Sequence, residues 1–92
     1  MSGGHFDYKQ WEIQNIADEV EQLILTNDSE ELDEWGYRKG SHFTPETIAE
    51  FKKGLTVLRQ AYVYAQRIDW LVSGDDGEDS FLRRLKLELE KI

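Results

Sequence analysis

The sequence predicts an all-α fold: a small helical bundle or hairpin of three main helices plus one short helix. Three observations carry this. Apolar residues recur in steps of three and four along three separate stretches. Capping residues stand where helices should begin, and glycines where they should stop. No stretch shows the alternation of a strand.

The first helix is expected over about residues 8–25. Ile13, Ile16, Ala17, Val20, Leu23 and Ile24 fall on one stripe of a helical period. Asp7 is a good N-cap, with Gln10 three residues on as its capping-box partner. Phe6 before the cap and Trp11 after it suit a hydrophobic staple. The loop chemistry of Thr26-Asn27-Asp28-Ser29 follows. Asp28 or Ser29 is then expected to cap a short helix over about 29–35 that Gly36 ends, leaving Tyr37 to His42 as an irregular connection.

The longest helix is expected over about 44–73. Thr44 is its N-cap, and Pro45 takes the first helical position, where a missing N–H costs nothing. Phe43 and Ile48 suit a second staple. Ile48, Phe51, Leu55, Leu58, Tyr62 and Ala65 form a stripe that continues through Ile68 to Leu71 or Val72. Gly54 costs this helix about 1 kcal/mol relative to alanine, which predicts a close helix crossing there. Such a helix is about 42 Å long and needs others packed along it. Gly74 suits its C-terminal cap, and Asp75 or Asp76 would cap a last helix over about 78–91. Leu82, Leu85, Leu89 and Ile92 are its apolar stripe. Its acids come first and its bases later, as the helix dipole favours.

The 92 residues suit a single helical domain, 1–92. Cysteine is absent, so disulfides and thiolate metal sites are excluded. No apolar run spans a membrane, and Met1-Ser2-Gly3-Gly4-His5 lacks the pattern of a signal peptide, so a cytoplasmic protein is expected. The formal net charge is −8, and Gln10 to Tyr37 holds no basic residue. Such a field repels nucleic-acid phosphates, so direct nucleic-acid binding is not expected. It attracts basic protein surfaces or cations; the plainer reading is a solvated helix face.

Two segments echo each other: Gly3-Gly4-His5-Phe6 and Gly40-Ser41-His42-Phe43. Each ends one residue before a predicted cap. Staples account for Phe6 and Phe43 but not for His5 and His42. Flanking glycines let a backbone approach a ligand, and a helix N-terminus offers N–H groups to an anion. Two histidines do not make a metal site. Tyr64 and Arg67, three apart, share a face, and arginine beside aromatics is hot-spot composition. A structural Arg67 reaching the acidic first helix is the competing reading. Ser73 to Ser80, with Asp75, Asp76 and Asp79, has oxygen-ligand chemistry but not the spacing of a calcium loop, so it reads first as a turn rich in capping acids. No nucleophile, Walker or zinc-protease motif is present, so a non-enzymatic protein without cofactor or metal is expected.

Met1-Ser2-Gly3-Gly4-His5-Phe6, together with the run from Arg67-Ile68-Asp69-Trp70 through Ser73-Gly74-Asp75-Asp76-Gly77-Glu78 to Phe81, resembles a family of small uncharacterised proteins of bacterial and bacteriophage genomes. The resemblance covers the whole chain and brings no catalytic residues. It implies a phage or prophage setting, where small proteins often act by binding. The leading expectation is a binding protein that neutralises a host factor, such as one of antiviral defence, through protein–protein contact. The alternative is a sponge that sequesters a nucleotide or other anionic signal at a homo-oligomer interface. The candidate binding residues are His5, Phe6, Arg38, Lys39, His42, Tyr64, Arg67, Asp75 and Asp76.

Overall fold

A computed structural model describes residues 5–92. Its helices are α1 (Gln10–Leu25), α2 (Pro45–Val72) and α3 (Glu78–Glu90), so the fold is all-α. Helix α2 is the spine. Both α1 and α3 pack on it, and they do not touch each other. Helix α1 runs antiparallel to α2: Gln10 at its start reaches Gln66, and Asn27 just past its end reaches Phe43. Helix α3 folds back along the C-terminal half of α2, so that Glu88 meets Arg67.

The result is a slab one helix thick, with extents of 52 × 27 × 14 Å. A helix with its side chains is about 10–12 Å across, so the 14 Å dimension leaves no room for a second layer. The radius of gyration is 17.3 Å, against about 12 Å for a compact chain of this length. Ala17 is the only buried apolar side chain among the described residues. Half-buried apolar side chains and polar groups together bind the slab. Arg59 spans Gln14 at 2.9 Å, Asp18 at 2.8 Å and Glu21 at 3.3 Å across the α1–α2 seam. Its guanidinium pKa is raised, first by the bond to Asp18.

The ends of α2 follow local chemistry. Thr44 caps it by accepting the N–H of Thr47, and Pro45 opens it. At its end Gly74 takes a φ of +84°, and the N–H groups of Gly74 and Asp75 return to the carbonyls of Leu71 and Trp70. That is a Schellman turn, which needs a left-handed residue that glycine supplies without strain.

Several local expectations fail. Helix α1 starts at Gln10, close to the expected residue 8, but Asp7 does not cap it: Asp7 and Tyr8 are both left-handed, at φ 56° and 63°. The short helix over 29–35 does not form. Asp33 instead accepts the N–H groups of Trp35 and Tyr37 on one carboxylate oxygen, and a narrow turn pairs Leu32 with Arg38. An aspartate that satisfies nearby backbone in this way competes directly with helix, and a six-residue helix has little cooperativity to resist it. Helix α3 is capped by Gly77 rather than by Asp75 or Asp76. No close crossing explains Gly54, since a Cβ there would meet nothing within 4 Å. Phe43 packs on Phe51, with ring centroids 5.5 Å apart. No helix among the described residues is long and apolar enough to cross a membrane.

Candidate functional site

The two His-Phe segments are used in the same way. The N–H of Phe6 donates to Oδ1 of Asp69 at 2.8 Å, and the N–H of Phe43 donates to Oδ1 of Asn27 at 2.9 Å. Both acceptors are buried, at 3% and 6% exposure. Asp69 also takes the amide of Gln10 at 3.2 Å, and the amide of Asn27 returns a bond to the carbonyl of Phe43 at 3.2 Å. Each segment thus hands its peptide N–H to a buried side chain of another segment, which satisfies a donor that burial would otherwise penalise. Gly3 and Gly4 lie outside the described residues.

The histidines divide. The ring of His42 bonds the carbonyl of Ser29 at 3.0 Å, and the backbone N–H of His42 donates to the carbonyl of Asn27 at 2.9 Å. His42 therefore closes the loop before α2. His5 is exposed and packs edge-on against Phe6, with centroids 5.1 Å apart. His5, Phe6, Lys9, Gln10, Ile13 and Ala65 border an open depression of about 350 Å³.

Arg67 is buried on the other flank of α2. It donates through Nε to Glu88 at 3.0 Å and again through Nη2, lies 4.6 Å above the ring of Trp70, and has Asp76 4.0 Å from Nη1. Arg67 therefore joins α2 to α3, not to the acidic first helix, and Tyr64 is exposed elsewhere. Asp76 is buried against Arg67 and accepts the N–H of Gly77, while Asp75 is exposed. No group of three metal-ligating side chains comes together among the described residues.

The loop from 28 to 41 carries the most exposed aromatics, Trp35 at 76% and Tyr37 at 73%, beside exposed Leu32. Its frame is rigid. Asp33 N–H meets the carbonyl of Tyr37 at 2.8 Å, Lys39 N–H meets that of Glu31 at 2.8 Å, and Gly36 turns the chain at φ 84°. Gly40 seats the loop so closely that a Cβ would lie 2.6 Å from the carbonyl oxygens of Thr26 and Asn27. Among the described residues, Arg38 and Lys39 make exposed ion pairs, with Glu30 at 3.8 Å and Glu31 at 3.6 Å.

The candidate residues thus fall into two groups. His5, Phe6, Tyr64, Arg67, Asp75 and Asp76 lie toward one end of α1. Arg38, Lys39 and His42 lie at the other, about 24 Å away along a 16-residue helix. Sequence reasoning passed over Asn27, Asp33, Trp35 and Tyr37. The usable signal for the last two was a Trp-Gly-Tyr run that no apolar stripe absorbs. Comparison with protein-family models, with curated proteins and with solved structures gives no match.

Proposed function

We propose that this chain is a non-enzymatic binding protein of phage or prophage origin that neutralises a basic host factor by protein–protein contact through its 28–41 loop. The observation that carries this is the display of Trp35 and Tyr37 on a loop already held by backbone hydrogen bonds. Large aromatics on a preorganised frame bind with little loss of conformational freedom. Glu30, Glu31 and Glu34 are exposed on the same loop, which stays acidic even with Arg38 and Lys39 paired to Glu30 and Glu31, and that charge favours a basic surface over nucleic acid. The sponge reading has less support, because its basic residues are divided between the two ends of α1 and Arg67 is already paired with Glu88.

Affinity capture from a bacterial host, with the wild-type chain beside Trp35→Ala and a Glu30, Glu31 and Glu34 charge reversal, tests the proposal. A basic host protein retained by the wild type, lost with Trp35→Ala and released as salt rises is the expected result. Equal retention by all three proteins refutes it. A thermal shift with cyclic or linear nucleotides would move the reading to the sponge.

A further inference from the structure

We infer that the Leu32 edge of the 28–41 loop takes an extended basic segment of the partner as an added strand. This rests on the loop reading above and specifies the form of partner that the loop holds. Two backbone bonds define the ribbon. The N–H of Lys39 donates to the carbonyl of Glu31, and the N–H of Asp33 donates to the carbonyl of Tyr37, both at 2.8 Å. They bracket the antiparallel bridge between Leu32 and Arg38. Leu32 and Arg38 are therefore a non-hydrogen-bonded pair, and the N–H and carbonyl of each face outward from the ribbon. Among the described residues, no hydrogen bond uses any of these four groups. Leu32 is exposed, as are Glu30 and Glu31 before it.

An edge with unpaired N–H and carbonyl groups is a template for another extended chain. The template here is preformed. The Asp33 carboxylate and left-handed Gly36 hold the turn, so pairing orders little on this side. A two-stranded ribbon is marginal alone and gains from a third strand. Charge selects both the edge and the occupant. Glu30, Glu31 and Asp33 flank Leu32, whereas Arg38 and Lys39 lie on the opposite strand. A basic segment is therefore drawn to the Leu32 edge and repelled from the Arg38 edge. The ion pairs of Arg38 with Glu30 and of Lys39 with Glu31 are exposed, so an incoming cation displaces them at little cost. A second copy of this chain, at a formal charge of −8, is disfavoured there. Main-chain bonds to Leu32 supply affinity that does not depend on the partner's side chains, and the acids choose among extended chains by charge.

An NMR titration of the full chain tests this with an end-blocked peptide, Lys-Thr-Lys-Val-Lys-Thr-Lys, and the same peptide methylated on its three central amide nitrogens. The two probes carry equal charge, and only the first can pair its backbone. The first is expected to bind and to slow amide exchange at Leu32 but not at Arg38. The methylated probe should bind about three- to tenfold more weakly. Leu32→Pro removes the outward N–H without breaking an internal bond, a substitution that a strand edge tolerates. It should weaken the first probe by a similar factor, while Leu32→Ala, which keeps the N–H, should retain the slowed exchange at that position. Equal binding of both probes to the wild type overturns the inference in favour of charge alone. Protection at Arg38 instead of Leu32, or no binding of the first probe, overturns it as well. Host-protein capture separates this result from the fate of the loop reading. Capture lost with Trp35→Ala but unchanged with Leu32→Pro keeps the loop and removes the added strand, whereas capture that Trp35→Ala leaves intact removes the loop itself.

Discussion

The N–H of Phe6 lies 2.8 Å from Oδ1 of Asp69, and this bond ties the residues that lead into α1 to the second half of α2. It also accounts for the failed cap at Asp7. A chain held at Phe6 must turn sharply to enter α1, and it does so through left-handed Asp7 and Tyr8. Two such non-glycine residues are costly and persist only where surrounding contacts over-determine them. Asp69→Ala leaves the N–H of Phe6 and one bond of the Gln10 amide unmet. The expected loss is about 2–3 kcal/mol in chemical denaturation, with faster amide exchange at Phe6. A change within experimental error would remove Asp69 as the anchor.

Gly40 and Gly54 should respond oppositely to alanine. At Gly40 the new methyl meets three backbone atoms at 2.6–2.7 Å, none of which can rotate away. Gly40→Ala is expected to cost about 2 kcal/mol or more and to loosen the loop that carries Trp35. At Gly54 the methyl enters open space within a helix. Gly54→Ala should therefore stabilise by about 1 kcal/mol. Thermal melts of both variants decide it, and a destabilised Gly54→Ala would point to an unseen contact at that position.

Arg67 has two partners that lysine cannot satisfy together, the carboxylate of Glu88 and the ring of Trp70. Helix α3 touches only α2, so its attachment rests heavily on this cluster. Arg67→Lys is expected to cost about 1–3 kcal/mol, since Glu88 keeps a charge but loses its paired donors. Hydrogen exchange should accelerate through α3 and leave α1 nearly unchanged. Uniform acceleration in both helices would show that α3 is not a separate unit.

Tyr62 has its pKa raised above 10.0, first by burial and second by the charge of Glu88. The folded chain then holds this proton to higher pH than the unfolded chain, so the associated stability is complete below pH 10.0 and declines as pH rises through the folded value. Spectrophotometric titration should find Tyr62 ionising late. Glu88→Gln should lower that value partway, because burial, the larger cause, remains. An unmoved value would exclude the charge of Glu88 as a cause.

Helix positions were legible where the governing interaction is local. Thr44-Pro45 starts α2 and Gly74 ends it, because capping bonds reach only a few residues. The same rules misassign the cap of α1 and propose a helix at 29–35, because distant Asp69 captures Phe6 in one case and the side chain of Asp33 rearranges the backbone in the other. Of the candidate binding residues, Arg67 and Asp76 come together, and the partnership of Arg67 with Glu88 was not readable. Nothing in their spacing says which face of α3 returns to α2.

The sequence by itself determined an all-helical chain of acidic character and the ends of its longest helix. Periodicity, composition and capping are properties of neighbouring residues. Only the tertiary structure decided that α1 and α3 flank α2 in a single layer, and that His42 bonds across a loop while His5 packs against Phe6. It also decided that the aromatics of the 28–41 loop stand outward. These outcomes depend on which buried acceptor receives which distant N–H, and on area that no second layer covers, and neither is encoded in any short stretch of residues.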